Sequence, residues 1–214
     1  MPIPALVLAA GRSSRMGRTK ATLPLGDGDT FLTRIVRTFL EAGVDDVVIV
    51  LGHEADSIAA SFADSGLPAR LVVNPQYDLG QLSSLLAGLA VIDKPGVAAM
   101  LMTLVDVPLT SSATVRAVLE RYRQTRAPIV RPVSTVSGDR HGHPIVIDRA
   151  LFPLLRHADL DAGAKPIVRA HASAAGDVPV NDEGAFADID TPEAYDRLIR
   201  LASGDARRES RADQ

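Results

Sequence analysis

Cysteine is absent from the chain of 214 residues, and its absence excludes disulfide bonds, Cys-ligated zinc and thiol catalysis. No apolar run reaches the length of about 20 residues that a transmembrane helix needs. The formal net charge is -3, whereas general nucleic-acid binding normally requires a basic face. We therefore expect a soluble cytoplasmic protein, a monomer or weak dimer, that binds neither nucleic acid nor a membrane.

Short apolar runs alternate with segments of helical periodicity along most of the sequence. The runs at 3–9, 46–52 and 97–106 predict buried strands. The later runs at 128–133 and 143–148 predict a strand pair that adds an antiparallel element. The alternation predicts an α/β protein with a three-layer α/β/α, Rossmann-like fold and a mostly parallel mixed sheet. We expect one domain over residues 1–202 and a disordered tail at 203–214.

The segment from Met1 to Gly26 contains no acidic residue. Within it, the stretch LVLAAGRSSRMGRTK at residues 6–20 follows the first predicted strand and carries two glycines, two serines, three arginines and one lysine. Ligands of such sheets bind at the carboxyl ends of the strands. Backbone N–H groups near the glycines can cradle a phosphate, and Arg15 and Lys20 can neutralise it. The alternative is a solvated turn without a specific ligand.

Two common phosphate loops do not fit this stretch. Gly11 is followed by Arg12 and Ser13, so the dinucleotide pattern G-x-G-x-x-G is absent. Lys20 stands between threonine and alanine, so the Walker pattern is absent as well. A nicotinamide-dependent oxidoreductase or a P-loop NTPase is therefore disfavoured.

Two aspartates are candidate Mg²⁺ ligands. Asp106 ends the predicted central strand at the ligand edge, and Pro108 prevents that strand from continuing. Asp190 precedes Thr191, the predicted N-cap of the last helix, and Asp188 is the alternative ligand. Each aspartate also has a structural interpretation, as a turn residue or as a neighbour of a helix cap.

The segment LAAGRSSRMGRTKATLPL resembles the signature L-A-A-G-x-S-x-R-M-G-x-x-K of the MobA-like nucleotidyltransferases. That family includes the molybdenum-cofactor guanylyl- and cytidylyltransferases, and its fold is of the nucleotide-diphospho-sugar transferase type. The resemblance implies an Mg²⁺-dependent enzyme that joins an NTP to a phosphorylated acceptor and releases pyrophosphate. Cytidylyl enzymes of the family tend to carry Leu-Ala-Ala-Gly in this motif, so Ala10 favours CTP. The implied acceptor is molybdenum-loaded molybdopterin, and a molybdoenzyme is a possible partner that receives the product.

The resemblance also assigns roles to individual residues. It implies catalytic roles for Arg15, Lys20 and Asp106, and metal binding by Asp106 and Asp190. Segments around NPQYDLGQLSSLLAGL and GDRHGHPIVI match the family regions that meet the nucleotide and the acceptor. The expected acceptor residues are Arg140, His143 and Lys165. The expected nucleotide-binding residues are Leu8, Ala9, Ala10, Gly11, Arg12, Ser13, Ser14, Arg15, Lys20, Gly80, Ser83, Ser84 and Asp106. Two arginines of the loop are the least required, namely Arg12 of this set and Arg18 outside it.

Other functions remain open at this point. The acceptor is alternatively a sugar or alcohol phosphate, and the nucleotide is alternatively GTP. Aromatic residues make up only 4% of the chain, which leaves few stacking platforms for a pterin. A protein that carries the finished cofactor without turnover is an alternative of another class, but it does not need both carboxylates.

Overall fold

The structure is a computed structural model that describes residues 1–26, 28–137 and 140–200. Its strands are β1 (Ala5–Ala9), β2 (Pro24–Gly26), β3 (Asp29–Thr30), β4 (Val47–Leu51), β5 (Arg70–Val73), β6 (Ala99–Leu104), β7 (Ile129–Ser134), β8 (Ile145–Asp148) and β9 (Asp177–Val180). Its helices are α1 (Phe31–Glu41), α2 (Ala55–Ala63), α3 (Gln81–Ile92), α4 (Ser112–Thr125), α5 (Phe152–Arg156) and α6 (Lys165–His171), and residues 192–200 are also helical. No helix in these ranges is long and apolar enough to cross a membrane.

The central sheet has the strand order β5-β4-β1-β6-β8-β7-β9. Strand β1 lies between β4 and β6 and is parallel to both. Strand β8 is antiparallel to β6 and to β7, so the predicted mostly parallel mixed sheet is confirmed. Parallel strands place their carboxyl ends at one edge, and the ends of β1 and β6 are therefore neighbours there.

Helices cover both faces of the sheet, as the prediction of three layers required. Alternate residues of β1 face opposite sides, because side chains alternate along a strand. Val7 and Ala9 pack with α1, α2 and α4. Leu6 and Leu8 pack with α3 and α5.

Helix α1 shows how local sequence sets the element bounds. Its buried residues include Leu32, Ile35, Val36 and Phe39, one helical face. The sequence predicts either Asp29 or Thr30 as the N-cap of this helix. In the structure the cap is Thr30, whose side chain accepts a hydrogen bond from the Thr33 N–H.

Two elements were not predicted. Strand β9 is short and contains Pro179, which a strand tolerates at the edge of a sheet, where β9 lies beside β7. The hairpin of β2 and β3 is formed by very short strands that carry little periodicity. The predicted disordered tail at 203–214 lies outside the described residues.

Candidate active site

The loop after β1 curls at the edge of the sheet and leaves its first N–H groups available. Ser13 has a φ of 51°, a left-handed conformation that is uncommon for a residue other than glycine. The Ser13 carbonyl accepts hydrogen bonds from Met16 and Gly17, and its side chain accepts one from the Lys20 N–H. In the described part of the chain, the N–H groups of residues 11–14 donate none of the loop's hydrogen bonds. A Cβ built on Gly11 meets no atom within 4 Å, so the backbone there is open to a ligand.

Four charged side chains meet beside this loop. The Lys20 ammonium contacts Asp106 at 3.2 Å and also hydrogen-bonds Asp190. Arg15 contacts the other Asp190 oxygen at 2.6 Å. The Lys20 side chain is only 10% exposed, whereas Arg15 is 72% exposed. The loop that lacks acidic residues in its own sequence is thus neutralised by aspartates from two distant segments.

The packing of the C-terminal segment places Asp190. The N–H of its neighbour Ile189 donates a hydrogen bond to the Asp106 carbonyl at 2.8 Å. Thr191 is the N-cap of the following helix, because its side chain accepts a hydrogen bond from the Ala194 N–H. Tyr195 of that helix donates to the Pro24 carbonyl and anchors the helix on the β2–β3 hairpin.

The electrostatics of Asp190 reflect its two basic neighbours. Partial burial by itself raises the pKa of the Asp190 carboxyl. The hydrogen bond from Lys20 and the charges of Lys20 and Arg15 outweigh that effect, so the pKa lies below its ordinary value. Asp190 is therefore an anion at neutral pH.

The carboxylates fit a divalent cation. The Asp106 Oδ1 atom is buried and has no hydrogen-bond partner among the described residues, which leaves an oxygen ligand available. Residues 1–26, 28–137 and 140–200 contain no group of three or more His, Cys, Asp and Glu side chains suited to a metal. Asp106 and Asp190 would therefore hold the ion together with phosphate oxygens and water, as is usual for Mg²⁺.

One cavity, here called the β1 cavity, has a volume of about 240 Å³. Most residues predicted to bind the nucleotide line it, namely Leu8, Ala10, Gly11, Ser13, Lys20, Gly80, Ser84 and Asp106. A cleft that shares Ser13, Lys20 and Asp106 adjoins it and is also lined by Ser14, Arg15 and Asp190. The phosphate loop and the predicted base region thus form one continuous surface.

Three residues of the predicted nucleotide set line neither the β1 cavity nor the adjoining cleft, namely Ala9, Arg12 and Ser83. Ala9 faces the opposite side of β1 and packs in the core with α1, α2 and α4. Ser83 does not line the β1 cavity, and its hydroxyl bonds backbone carbonyls of residues 76 and 80.

Arg12 has an internal partner. Its guanidinium donates two hydrogen bonds of 2.9 Å to Asp78 and lies over the Tyr77 ring. The hydrogen bond from Arg12 lowers the pKa of the Asp78 carboxyl. Arg12 therefore joins the loop to the segment before α3.

A second cavity, the β8 cavity, has a volume of about 490 Å³. His143 and Lys165, two of the expected acceptor residues, are part of its wall. Arg140, the third expected acceptor residue, does not line this cavity. Its guanidinium donates a hydrogen bond to the Phe186 carbonyl at 2.8 Å and contacts Glu183. The cavity wall also contains His141, Asp188 and two arginines, Arg131 and Arg169. The sequence interpretation did not name these arginines, and it named Asp188 only as an alternative metal ligand.

Two titratable groups in the β8 cavity are perturbed by their surroundings. Burial lowers the pKa of His143, against a smaller opposing effect of Met102, Asp106 and Asp188, so its imidazole is neutral. Burial also raises the pKa of Asp188, and the negative charge of Asp106 adds to this increase. Asp188 lines the β8 cavity, whereas Asp190 contacts Lys20 and Arg15.

The MobA-like NTP transferase domain matches residues 5–175 of the chain. The chain belongs to this family. Nicotine blue oxidoreductase of Paenarthrobacter nicotinovorans is 36% identical, and the alignment covers 91% of this chain and 95% of that protein. The purine catabolism protein PucB of Bacillus subtilis is 30% identical, with 92% and 95% covered.

Solved structures agree with this assignment. Rv0371c from Mycobacterium tuberculosis H37Rv has a TM-score of 0.77 and 29% identity, over 94% of this chain and 98% of that one. A nucleotidyl transferase from Methanothermobacter thermautotroptrophicus has a TM-score of 0.71 and 26% identity, over 94% and 99%. These likenesses confirm the Rossmann-like nucleotidyltransferase fold. Rv0371c has also been solved as a complex with manganese, at 27% identity, a TM-score of 0.71 and coverage of 94% and 99%.

Proposed function

We propose that the protein is an Mg²⁺-dependent cytidylyltransferase that transfers CMP from CTP to molybdenum-loaded molybdopterin. One observation carries the proposal. Arg15, Lys20, Asp106 and Asp190 converge at the edge of the sheet, beside the β1 cavity and the loop cleft. A triphosphate laid along the cleft would replace the carboxylates as partner of the two cations.

The reaction is an in-line displacement. An oxygen of the acceptor phosphate attacks the α-phosphorus of CTP, the bond to the β-phosphate oxygen breaks, and pyrophosphate leaves with the bonding electrons. No general base is needed, because the acceptor phosphate is already ionised at neutral pH. Lys20, Arg15 and the free loop N–H groups align the phosphates and stabilise the developing charge. An Mg²⁺ ion on Asp106 and Asp190 would supply further charge neutralisation.

Ala10 supports CTP. It lines the β1 cavity, and its methyl group narrows that cavity relative to glycine, which suits a pyrimidine. The family resemblance of the motif supports the same nucleotide.

The β8 cavity supports an anionic acceptor. Lys165 and Arg169 lie four residues apart on α6 and have no ion-pair partner within the described residues. Their charges suit a phosphorylated molecule, and the cavity volume of about 490 Å³ accommodates a bicyclic or tricyclic ring system. Sugar and alcohol phosphates are the competing acceptors, and a molybdoenzyme in the cytoplasm would receive the product.

A second candidate function is an oxidoreductase, since one relative with 36% identity bears that name. The sequence lacks the glycine pattern of dinucleotide-binding loops. Oxidation of NADH or NADPH by the purified protein with a quinonoid electron acceptor would favour this candidate.

Pyrophosphate release tests the proposal directly. The protein is incubated with Mg²⁺, each NTP in turn, and molybdenum-loaded molybdopterin or a panel of sugar and alcohol phosphates. We expect release with CTP and molybdopterin. Absence of release with every NTP and acceptor would refute the transferase, and cofactor binding without release would instead identify a carrier.

A further inference from the structure

Asn74 is a buried residue at the entrance of α3. It follows β5, its N–H donates to the Leu51 carbonyl at 2.8 Å, and it is 4% exposed. Its side chain lies under the first turn of α3, within hydrogen-bond distance of Ser83 and Ser84. A buried amide in this position is expected to have its groups satisfied by hydrogen bonds.

The backbone fixes the orientation of this amide. The Gln76 N–H, which can only donate, lies 2.9 Å from one side-chain atom of Asn74, so that atom is the carbonyl Oδ1. The amide nitrogen Nδ2 then faces Ser83 at 2.9 Å and Ser84 at 3.1 Å and donates to both hydroxyl oxygens.

The two serines use their own protons differently. The Ser83 hydroxyl donates to the carbonyl of Gly80 at 2.8 Å or that of Gln76 at 3.0 Å. Ser84 is 3% exposed and accepts from Asn74, but the structure contains no acceptor for the Ser84 proton among the residues it describes. Ser84 lines the β1 cavity. A buried donor without a partner costs free energy, and a ligand in the cavity is the remaining place for an acceptor.

We infer that Asn74 is a positioning residue that makes Ser84 a hydrogen-bond donor to an acceptor atom of the nucleotide's base or ribose. The inference rests on the proposed function, since it takes the β1 cavity as the nucleotide site. Cytosine offers two such acceptors, the carbonyl O2 and the ring N3. A serine hydroxyl can either donate a hydrogen bond to a ligand or accept one. Because the Asn74 amide donates to the Ser84 oxygen, the Ser84 hydroxyl is left to donate its proton to the ligand.

The substitution Asn74→Asp tests the polarity of Ser84 with little change of shape. A carboxylate only accepts, so its second oxygen takes the Ser84 proton, and Ser84 then presents a lone pair to the ligand. We expect the Kd for CTP to rise about tenfold, as for a lost hydrogen bond to a buried group. KM should rise similarly, with kcat at saturating CTP nearly unchanged.

A second ligand and a double variant distinguish two effects of Asn74→Asp, namely its new negative charge and the reversed hydrogen bond of Ser84. Inorganic triphosphate has no base or ribose, so its affinity should not change in Asn74→Asp. Ser84→Ala should also weaken CTP about tenfold, and adding Asn74→Asp to it should cost nothing more, because the two residues act through one hydrogen bond. Ser57→Ala is the control for a serine-to-alanine change in a helix: Ser57 is exposed on α2 and lines neither cavity, so this change should leave CTP affinity unchanged.

The outcomes separate the inference from the proposed function. Additive losses in the double variant, equal weakening of CTP and triphosphate, or an unchanged CTP affinity in Ser84→Ala would each overturn the inference. An unchanged CTP affinity in Ser84→Ala overturns the inference even if Asn74→Asp fails to fold. If the wild-type protein binds no nucleotide, the proposed function fails first and the inference with it.

Discussion

Replacing Lys20 by methionine removes the cation between Asp106 and Asp190 while it keeps an unbranched side chain of similar length. In the structure, Lys20 contacts Asp106 at 3.2 Å and also hydrogen-bonds Asp190. Arg15 would remain as a partner of Asp190. Asp106 would lose its basic partner in the described structure.

The loss of unfolding free energy expected in Lys20→Met lies between the values for an exposed and a buried ion pair. At 3.2 Å and an effective dielectric constant of about 20, the attraction to Asp106 is about 5 kcal/mol before desolvation is counted. Exposed ion pairs contribute about 0–1 kcal/mol, and loss of one partner from a buried pair costs about 3–5 kcal/mol. Lys20 is 10% exposed and the two carboxylates 21% and 23%, so we expect the free energy of unfolding to fall by about 2 kcal/mol at pH 7.

The loss should depend on pH. The folded-state pKa of Asp190 is lowered, despite partial burial, by Lys20 and then by Arg15. A lowered pKa contributes stability that is fully present above the ordinary value of about 3.8 and is lost as pH falls through the folded value. The difference between wild type and Lys20→Met should therefore be largest near neutrality and shrink below pH 4.

Urea unfolding at pH 7 and at acid pH, with and without Mg²⁺, measures these effects. Mg²⁺ should restore part of the lost stability in Lys20→Met, because it binds the uncompensated carboxylates of the folded state. Arg18→Met is the matched control, since Arg18 is exposed on the same loop. If Lys20→Met is as stable as wild type at pH 7 without metal, or if Arg18→Met loses as much, the argument from burial is wrong.

Three further variants address the site and the core. Asp106→Asn keeps the side-chain size and should reduce Mg²⁺-dependent pyrophosphate release about a hundredfold; full activity with Mg²⁺ would exclude Asp106 as a ligand. Ala10→Gly should raise kcat/KM for GTP relative to CTP about tenfold, and an unchanged ratio would remove the methyl group as the discriminator. Burial and the hydrogen bond to Asp148 raise the pKa of Tyr122 to about 12, so wild-type stability should fall as pH rises from about 10 toward 12. Tyr122→Phe should lose that pH dependence in urea unfolding, and an equal slope in both proteins would contradict the assignment.

Much of the fold was predictable because local pattern determined it. Continuous apolar runs predicted β1, β4 and β6, and a helical period with an N-cap predicted α1. The structure confirms all four elements. Strand β9 could not be predicted, because four residues with a proline carry no distinctive period and only pairing with β7 makes them a strand.

The candidate site was predictable where a residue's place follows from its own element. Asp106 stands just after β6, and Lys20 stands in the loop after β1, so both had to lie near the same edge of a parallel sheet. Arg140 illustrates the limit, since its sequence neighbourhood matches the acceptor region, but its guanidinium binds Glu183 and the Phe186 carbonyl instead.

The sequence by itself determined the alternation of strands and helices, the basic loop after β1 and the carboxylate after β6. These features depend on neighbours within one element, whose geometry is periodic. Only the tertiary structure decided which charges meet. Lys20 bonds Asp190 across a separation of 170 residues, because the last described helix packs on the β2–β3 hairpin and Ile189 bonds the Asp106 carbonyl. It also decided the hydrogen-bond polarity of Ser84, since that depends on how Asn74 is held by the Gln76 backbone.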